Sequence, residues 1–169
     1  MTALSIHRAG VEDAEALVAL SKETFTETFG HLYAPEDLAS FLESAYDLGK
    51  HKRLLADADY AVWLLELGDN TVGYVLAGPC SLPYEKVQET DGEIKRLYIL
   101  SDYQAGGYGA RLMNTALGWL GEKTIWLGVW SENYGAQRFY NRYGFNKVGE
   151  YYFEVGEHRD LEFIFRKDS

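Results

Sequence analysis

The sequence predicts an α/β (α+β) fold: a mixed, mostly antiparallel sheet of about seven strands, about four helices, and one parallel strand–helix–strand crossover near its centre. Three observations carry this expectation. Apolar residues recur at helical spacing in four segments, while seven short segments alternate or run continuously apolar. The segments follow one another as β-α-α-β-β-β-α-β-α-β-β. A helix separates the middle strands, which calls for a parallel, right-handed crossover there. The chain has 169 residues, 47% of them hydrophobic, with three prolines, no Ser/Gly-rich linker and no internal repeat. One domain spanning residues 1–169 is the expectation.

Each element has its own local reason. Residues 4–9, LSIHRA, alternate as a strand. Val11, Ala14, Leu17, Val18 and Phe25 then mark one face of a first helix with acids in its first turn. Residues 34–49 open with Pro35 at a helix start, carry Leu38, Phe41, Leu42 and Ala45 on one face, and end on Gly49. A basic patch, KHKR (50–53), follows this second helix. Residues 60–78 read as two strands around a GDN turn. A polar loop (79–92) precedes the strand EIKRLYIL (93–100). A third helix begins within a glycine-rich stretch and runs to about Gly121. KTIWLGVW (123–130) is apolar enough for a strand buried on both faces. A fourth helix has Asn133 as cap and Gly144 as stop. The strands 145–156 and 158–166 close the chain.

Bulk properties narrow the function. Net charge is −10 and the pI is about 4.8, which argues against nucleic-acid binding and suits a cationic partner. No stretch is long and apolar enough for a membrane span, and the N-terminus lacks a basic region followed by an apolar run. With a single cysteine, Cys80, a reducing cytoplasmic location is expected. His7, His31, His51 and His158 show no ligand spacing, so no metal site is expected.

The stretch SDYQAGGYGARLM (101–113) carries the chemistry. Glycines entering a helix let backbone N–H groups converge on an anion. A nucleotide-phosphate loop would need Gly-Lys-Ser/Thr, but Gly109 is followed by Ala110 and Arg111. A dinucleotide fingerprint would need glycine where Leu112 stands, and its fold places the glycine turn first rather than late.

Gln104-x-x-Gly107-x-Gly109-Ala110, with Leu97-x-Ile99 upstream and Asn133-x-x-Ala136-x-x-x-Tyr140-x-x-x-Gly144-Phe145 downstream, resembles the signatures of the Gcn5-related N-acetyltransferase (GNAT) superfamily. The element order is similar along nearly the whole chain. ETFTETF, FLESAY, TVGYV, IKRLYI and IWLGVWSENYGAQRFY together look like the PaiA-type polyamine N-acetyltransferases.

That resemblance implies an acetyl-CoA-dependent N-acetyltransferase. No local feature would lower the pKa of Cys80, so direct transfer in a ternary complex is expected rather than an acyl-enzyme. Gln104, Ala105, Gly106, Gly107, Tyr108, Gly109 and Ala110 would offer amides to the pyrophosphate. Leu97, Tyr98 and Ile99 lie on a strand that bulges and splays to bind the pantetheine arm and the carbonyl. Asn133 both caps a helix and meets the cofactor. Tyr140 is the acid for the departing thiolate, against a competing role in packing. Glu93, six residues before Ile99, is a candidate base, alongside a plain strand-start acid or a water chain. Glu23 and Glu27 are candidates for holding a small cationic amine such as spermidine or spermine. An amino acid, a peptide N-terminus or a drug amine are alternative acceptors, and a CoA-binding regulator with weak catalysis is a further alternative. Arg111, Arg138 and Arg142 are either solvated or near the nucleotide. The aromatic closing strands suit a homodimer contact or ordinary core.

Overall fold

The computed structural model describes residues 3–169. Its strands are β1 (Leu4–Arg8), β2 (Ala61–Leu67), β3 (Asn70–Pro79), β4 (Gly92–Ile99), β5 (Ile125–Trp130), β6 (Asn146–Val155) and β7 (His158–Lys167). Its helices are α1 (Ala14–Phe29), α2 (Pro35–Ala45), α3 (Leu48–Ala56), α4 (Tyr108–Leu120) and α5 (Tyr134–Arg142). The strands form a single sheet ordered β1-β2-β3-β4-β5-β7-β6. Neighbours are antiparallel except β4 and β5, which are parallel and joined through α4.

Strand period explains why the sheet is covered on both faces. In β2, Ala61, Trp63, Leu65 and Leu67 join Leu112, Met113 and Ala116 of α4 in one core. Val62 and Leu64 point the other way, onto Leu17 and Leu20 of α1. A third, aromatic cluster gathers Phe25, Phe29, Tyr33, Tyr46 and Val155, with Phe41 and Phe153 packed against it.

The second helix differs from its sequence expectation. Residues 34–49 do not form one helix stopped by Gly49. The chain leaves α2 at Tyr46 (φ −113°, ψ 42°), and Asp47 starts α3 by accepting a hydrogen bond from Lys50 N at 2.8 Å. Gly49 and the whole KHKR patch lie inside α3, so among the described residues there are five α-helices rather than about four. A 3-10 turn, Ser101–Gly106, also precedes α4.

Two irregularities open the sheet at its centre. The β3–β4 register pairs Leu76 with Arg96 but Ala77 with Ile94, which leaves Lys95 as a bulge in β4. A bulge bends its strand and sharpens its twist. β4 and β5 then pair only at Gly92↔Ile125 and Glu93↔Trp126. Beyond Glu93 the edge of β4 that faces β5 has no strand partner among the described residues.

Candidate active site

The separation of β4 from β5 leaves a cleft of about 370 Å³, lined by Leu97, Tyr98, Ile99, Gln104, Gly109, Asn133, Ala136 and Tyr140 among others. A second cleft of about 310 Å³ opens beside the aromatic cluster, with Phe25, Phe29, Phe41, Tyr46, Tyr151 and Phe153 as walls. The two share Phe29, Lys95, Arg96, Tyr98, Gly128 and Glu162, so they meet across the gap in the sheet.

The glycine stretch sits at one end of the first cleft. Gly107 is the residue before α4 and has φ +75°, a left-handed conformation that glycine adopts without strain. No side chain caps α4, so the first-turn N–H groups of this helix keep their capacity for an anion. A Cβ placed on Gly107 would meet nothing within 4 Å, and one on Gly109 only Phe139 at 3.9 Å. Gly109 therefore fronts open cleft and not packed core. Gln104 Nε2 donates to Ile99 O at 3.0 Å, which ties the turn to the end of β4. Ala105, Gly106, Gly107, Tyr108 and Ala110 do not line the cleft themselves, and the Tyr108 ring turns inward against the core.

α5 borders the same cleft. Asn133 Oδ1 accepts from Ala136 N at 3.1 Å, the cap read from the sequence, and Gly135 and Ala136 keep the helix start narrow. Gln137 adds a second anchor by donating to Trp130 O and Ser131 O. Tyr140 packs edge-on to Phe139 and Phe145. Its phenol is pushed up to about 12 by burial and by the neighbouring Glu162 charge.

The shared wall holds the charged groups. Glu93 Oε1 accepts from Lys95 Nζ at 3.0 Å and from Ser81 N at 3.0 Å, so this carboxylate fixes the start of the 80–91 loop. Arg96 lies over the Tyr46 ring at 4.9 Å and donates to His51 Nε2 at 2.9 Å, while His51 Nδ1 bonds Asp47 O. Burial keeps His51 below its ordinary pKa, so the ring is a neutral acceptor for Arg96. Glu162 stands in β7 opposite Trp130 of β5 and Tyr151 of β6. Its Oε2 is buried and has no hydrogen-bond partner among the described residues, and burial followed by the Asp160 charge raises its pKa from 4.5 to about 8. Gly128 makes this corner possible: a Cβ there would lie 2.7 Å from the Tyr151 hydroxyl.

Other sequence candidates stand apart. Glu23 is exposed and Glu27 uses both oxygens on Ser101 N and Oγ; neither lines either cleft. Arg111, Arg138 and Arg142 are exposed and outside the lining. Burial pushes the Cys80 thiol up to about 11, which keeps it protonated and poorly nucleophilic. No helix among the described residues is long and apolar enough to cross a membrane. The sequence reading missed Glu162, Arg96 and His51. The one available signal for Glu162 was its place in RDLEFIF, an acid sharing a strand face with Ile164.

Comparison with known proteins agrees with this architecture. The Acetyltransferase (GNAT) family matches residues 15–145. The chain is 30% identical over 171 residues to an uncharacterized N-acetyltransferase of Lactobacillus delbrueckii subsp. lactis, covering 99% of this chain and 98% of that one. An uncharacterized N-acetyltransferase of Mycobacterium tuberculosis (strain ATCC 25618 / H37Rv) is 31% identical over 156 residues, covering 90% and 95%. In fold, the chain is similar to the PaiA N-acetyltransferase of Thermoplasma acidophilum, solved in complex with coenzyme A, with a TM-score of 0.79, 20% identity and 99% of each chain covered. With the divided sheet, the uncapped glycine turn and a match over most of its length, this chain belongs to the GNAT family and is an acetyl-CoA-dependent N-acetyltransferase.

Proposed function

We propose that the first cleft holds acetyl-CoA and the second holds a primary amine, with the acetyl group passing directly between them where the clefts meet. The observation that carries this reading is the shared wall of Lys95, Arg96, Tyr98, Gly128 and Glu162, which leaves two binding spaces open to each other. The PaiA structure with coenzyme A supports placing the cofactor in this fold. The residues present suit it: Gly107 and Gly109 leave room beside the start of α4, and backbone donors bind a diphosphate without net positive charge.

Acetyl-CoA supplies a thioester whose carbonyl carbon accepts an amine. The chain supplies the rest. The turn from Gln104 through Ala105, Gly106, Gly107 and Tyr108 to Gly109 and Ala110 offers amides to the diphosphate, and Asn133 borders the arm. The unpaired edge of β4 at Leu97, Tyr98 and Ile99 offers main-chain donors to the arm and to the carbonyl oxygen, on which charge builds during attack. Two carboxylates border the amine cleft, Glu93 and Glu162, and one of them takes the ammonium proton. Tyr140 stays protonated at neutral pH and passes its proton to the departing thiolate.

A polyamine such as spermidine or spermine is the acceptor favoured by the sequence resemblance and by the net charge of −10. A second reading, an amine with an apolar or aromatic body, is favoured by the ring-lined second cleft and by Lys95 and Arg96, which repel further ammonium groups. A thiol-release assay with acetyl-CoA across spermidine, spermine, tyramine, benzylamine and short peptides separates them. Y140F is expected to lower kcat by at least about 10-fold while calorimetry shows unchanged coenzyme A binding. Unaltered turnover in Y140F overturns its assignment as the acid.

A further inference from the structure

We propose that Glu162, at the junction of the two clefts, is the catalytic residue that accepts the proton of the acceptor ammonium. The inference rests on the two-cleft reading above and deepens it.

Geometry separates Glu162 from Glu93. Glu93 borders only the second cleft, and its Oε1 already carries the Lys95 ammonium and the Ser81 amide. Glu162 borders both clefts. Its Oε2 is enclosed yet meets no donor among the described residues. An unpaired buried carboxyl is costly unless something brings it a partner. An ammonium entering the second cleft and facing the first is such a partner.

The surroundings explain why this acid stays free. On its own strand, Asp160 is taken up by the Tyr33 hydroxyl and by His158 Nε2. From β6, Tyr151 stands directly opposite, and its phenol is held above its ordinary pKa by burial and by Glu162. Tyr98 of β4 and Tyr140 of α5 feel the same carboxylate, and both are raised mainly by burial. Tyr46, at the end of α2, is likewise raised by burial, and Arg96 over its ring is engaged with His51. Lys95 is engaged with Glu93 and Ser81. The cations of this wall therefore have other partners, and phenols crowd the acid. A carboxyl near 8 is a far closer match for an alkylamine near 10.4 than an ordinary glutamate near 4.3 is.

The step balances. Glu162 takes one proton from R–NH₃⁺ and leaves a neutral amine. The nitrogen lone pair forms the C–N bond to the acetyl carbon as the C–S bond breaks with its electron pair on sulfur. Tyr140 gives its proton to that sulfur and recovers one from the nitrogen. Glu162 returns its proton to solvent.

The test is the pH profile of kcat/KM, measured by thiol release with acetyl-CoA and whichever amine of the panel the unmodified protein turns over best. The expected profile rises to a limb near pH 8. E162Q is expected to lose about 100-fold at pH 8 and to lose that limb, with coenzyme A binding and circular dichroism unchanged. E162D is expected to recover part of the rate, and E93Q to keep the limb. E162Q with the full rate, or E93Q abolishing the limb, overturns the assignment while acetyl transfer stands. So does a flat unmodified profile from pH 6.5 to 9, which needs no variant to fold. No turnover with any amine overturns the two-cleft reading and this inference with it.

Discussion

Gly109 faces the first cleft with only Phe139 near where a Cβ would lie. A larger side chain there would add bulk to the cleft lining, in the space assigned to the diphosphate. G109L is therefore expected to raise the KM for acetyl-CoA by at least about 10-fold, with stability changed by no more than about 1 kcal/mol. Steady-state kinetics beside thermal melting checks both halves; an unchanged KM would remove the diphosphate from this turn. Gln104, Gly109, Asn133 and Tyr140, named in the sequence through the GNAT resemblance, all line the first cleft. Each motif is short, so neighbouring elements bring its members together. Glu162 was not legible. It meets Trp130 and Tyr151 only through the register of three strands, and the chain spacing between them says nothing about that register. The Arg96–His51 bond, across 45 positions, was hidden for the same reason. Glu27 shows the converse: its acid-rich helix segment suggested a cation site, yet Ser101 takes both oxygens.

At the scale of elements, the seven strands and the parallel pair followed from apolar patterning and from the single helix between β4 and β5. The break between α2 and α3 did not. Gly49 looked like a stop because glycine often follows a helix, but the decisive signal was Asp47, a cap residue whose side chain accepts from Lys50 N. An aspartate cap offsets one interior glycine: the cap is worth about 1 kcal/mol, and the glycine costs a comparable amount relative to alanine. The break has a consequence for the site, since it turns His51 inward, where its ring receives Arg96 from the floor of both clefts. D47A removes the acceptor for Lys50 N but leaves the backbone carbonyl that His51 uses. It is expected to cost about 1 kcal/mol, a fall of about 2–4 °C in Tm for a protein of this size. A Tm within experimental error of the unmodified protein would mean that packing, not the cap, sets the start of α3.

For the whole molecule, the open seam between β4 and β5 trades stability for chemistry, and pH exposes the trade. Two buried groups have opposite signs. His51 is held below its ordinary value of 6.5, so the unfolded chain binds the extra proton as pH falls through that value, and stability is lost on the acid side. Glu162 is raised from 4.5 to about 8, so the folded chain holds the extra proton between those values. Its contribution is fully present below about pH 4.5 and is lost as pH rises through about 8. Between 4.5 and 6.5 the two slopes oppose each other. Above 6.5 the histidine is neutral in both states and only Glu162 acts. Tyr46, Tyr140 and Tyr151 are raised above 10, beyond this window. The Tm of the unmodified protein should therefore fall between pH 6.5 and 8.5. E162Q should remove that fall, so that the variant comes nearest the parent at about pH 4 and melts above it at pH 9. Melting curves at these pH values decide the matter. A fall of equal size in both proteins would show that the Glu162 carboxyl is not the buried charge that the seam keeps at the expense of stability.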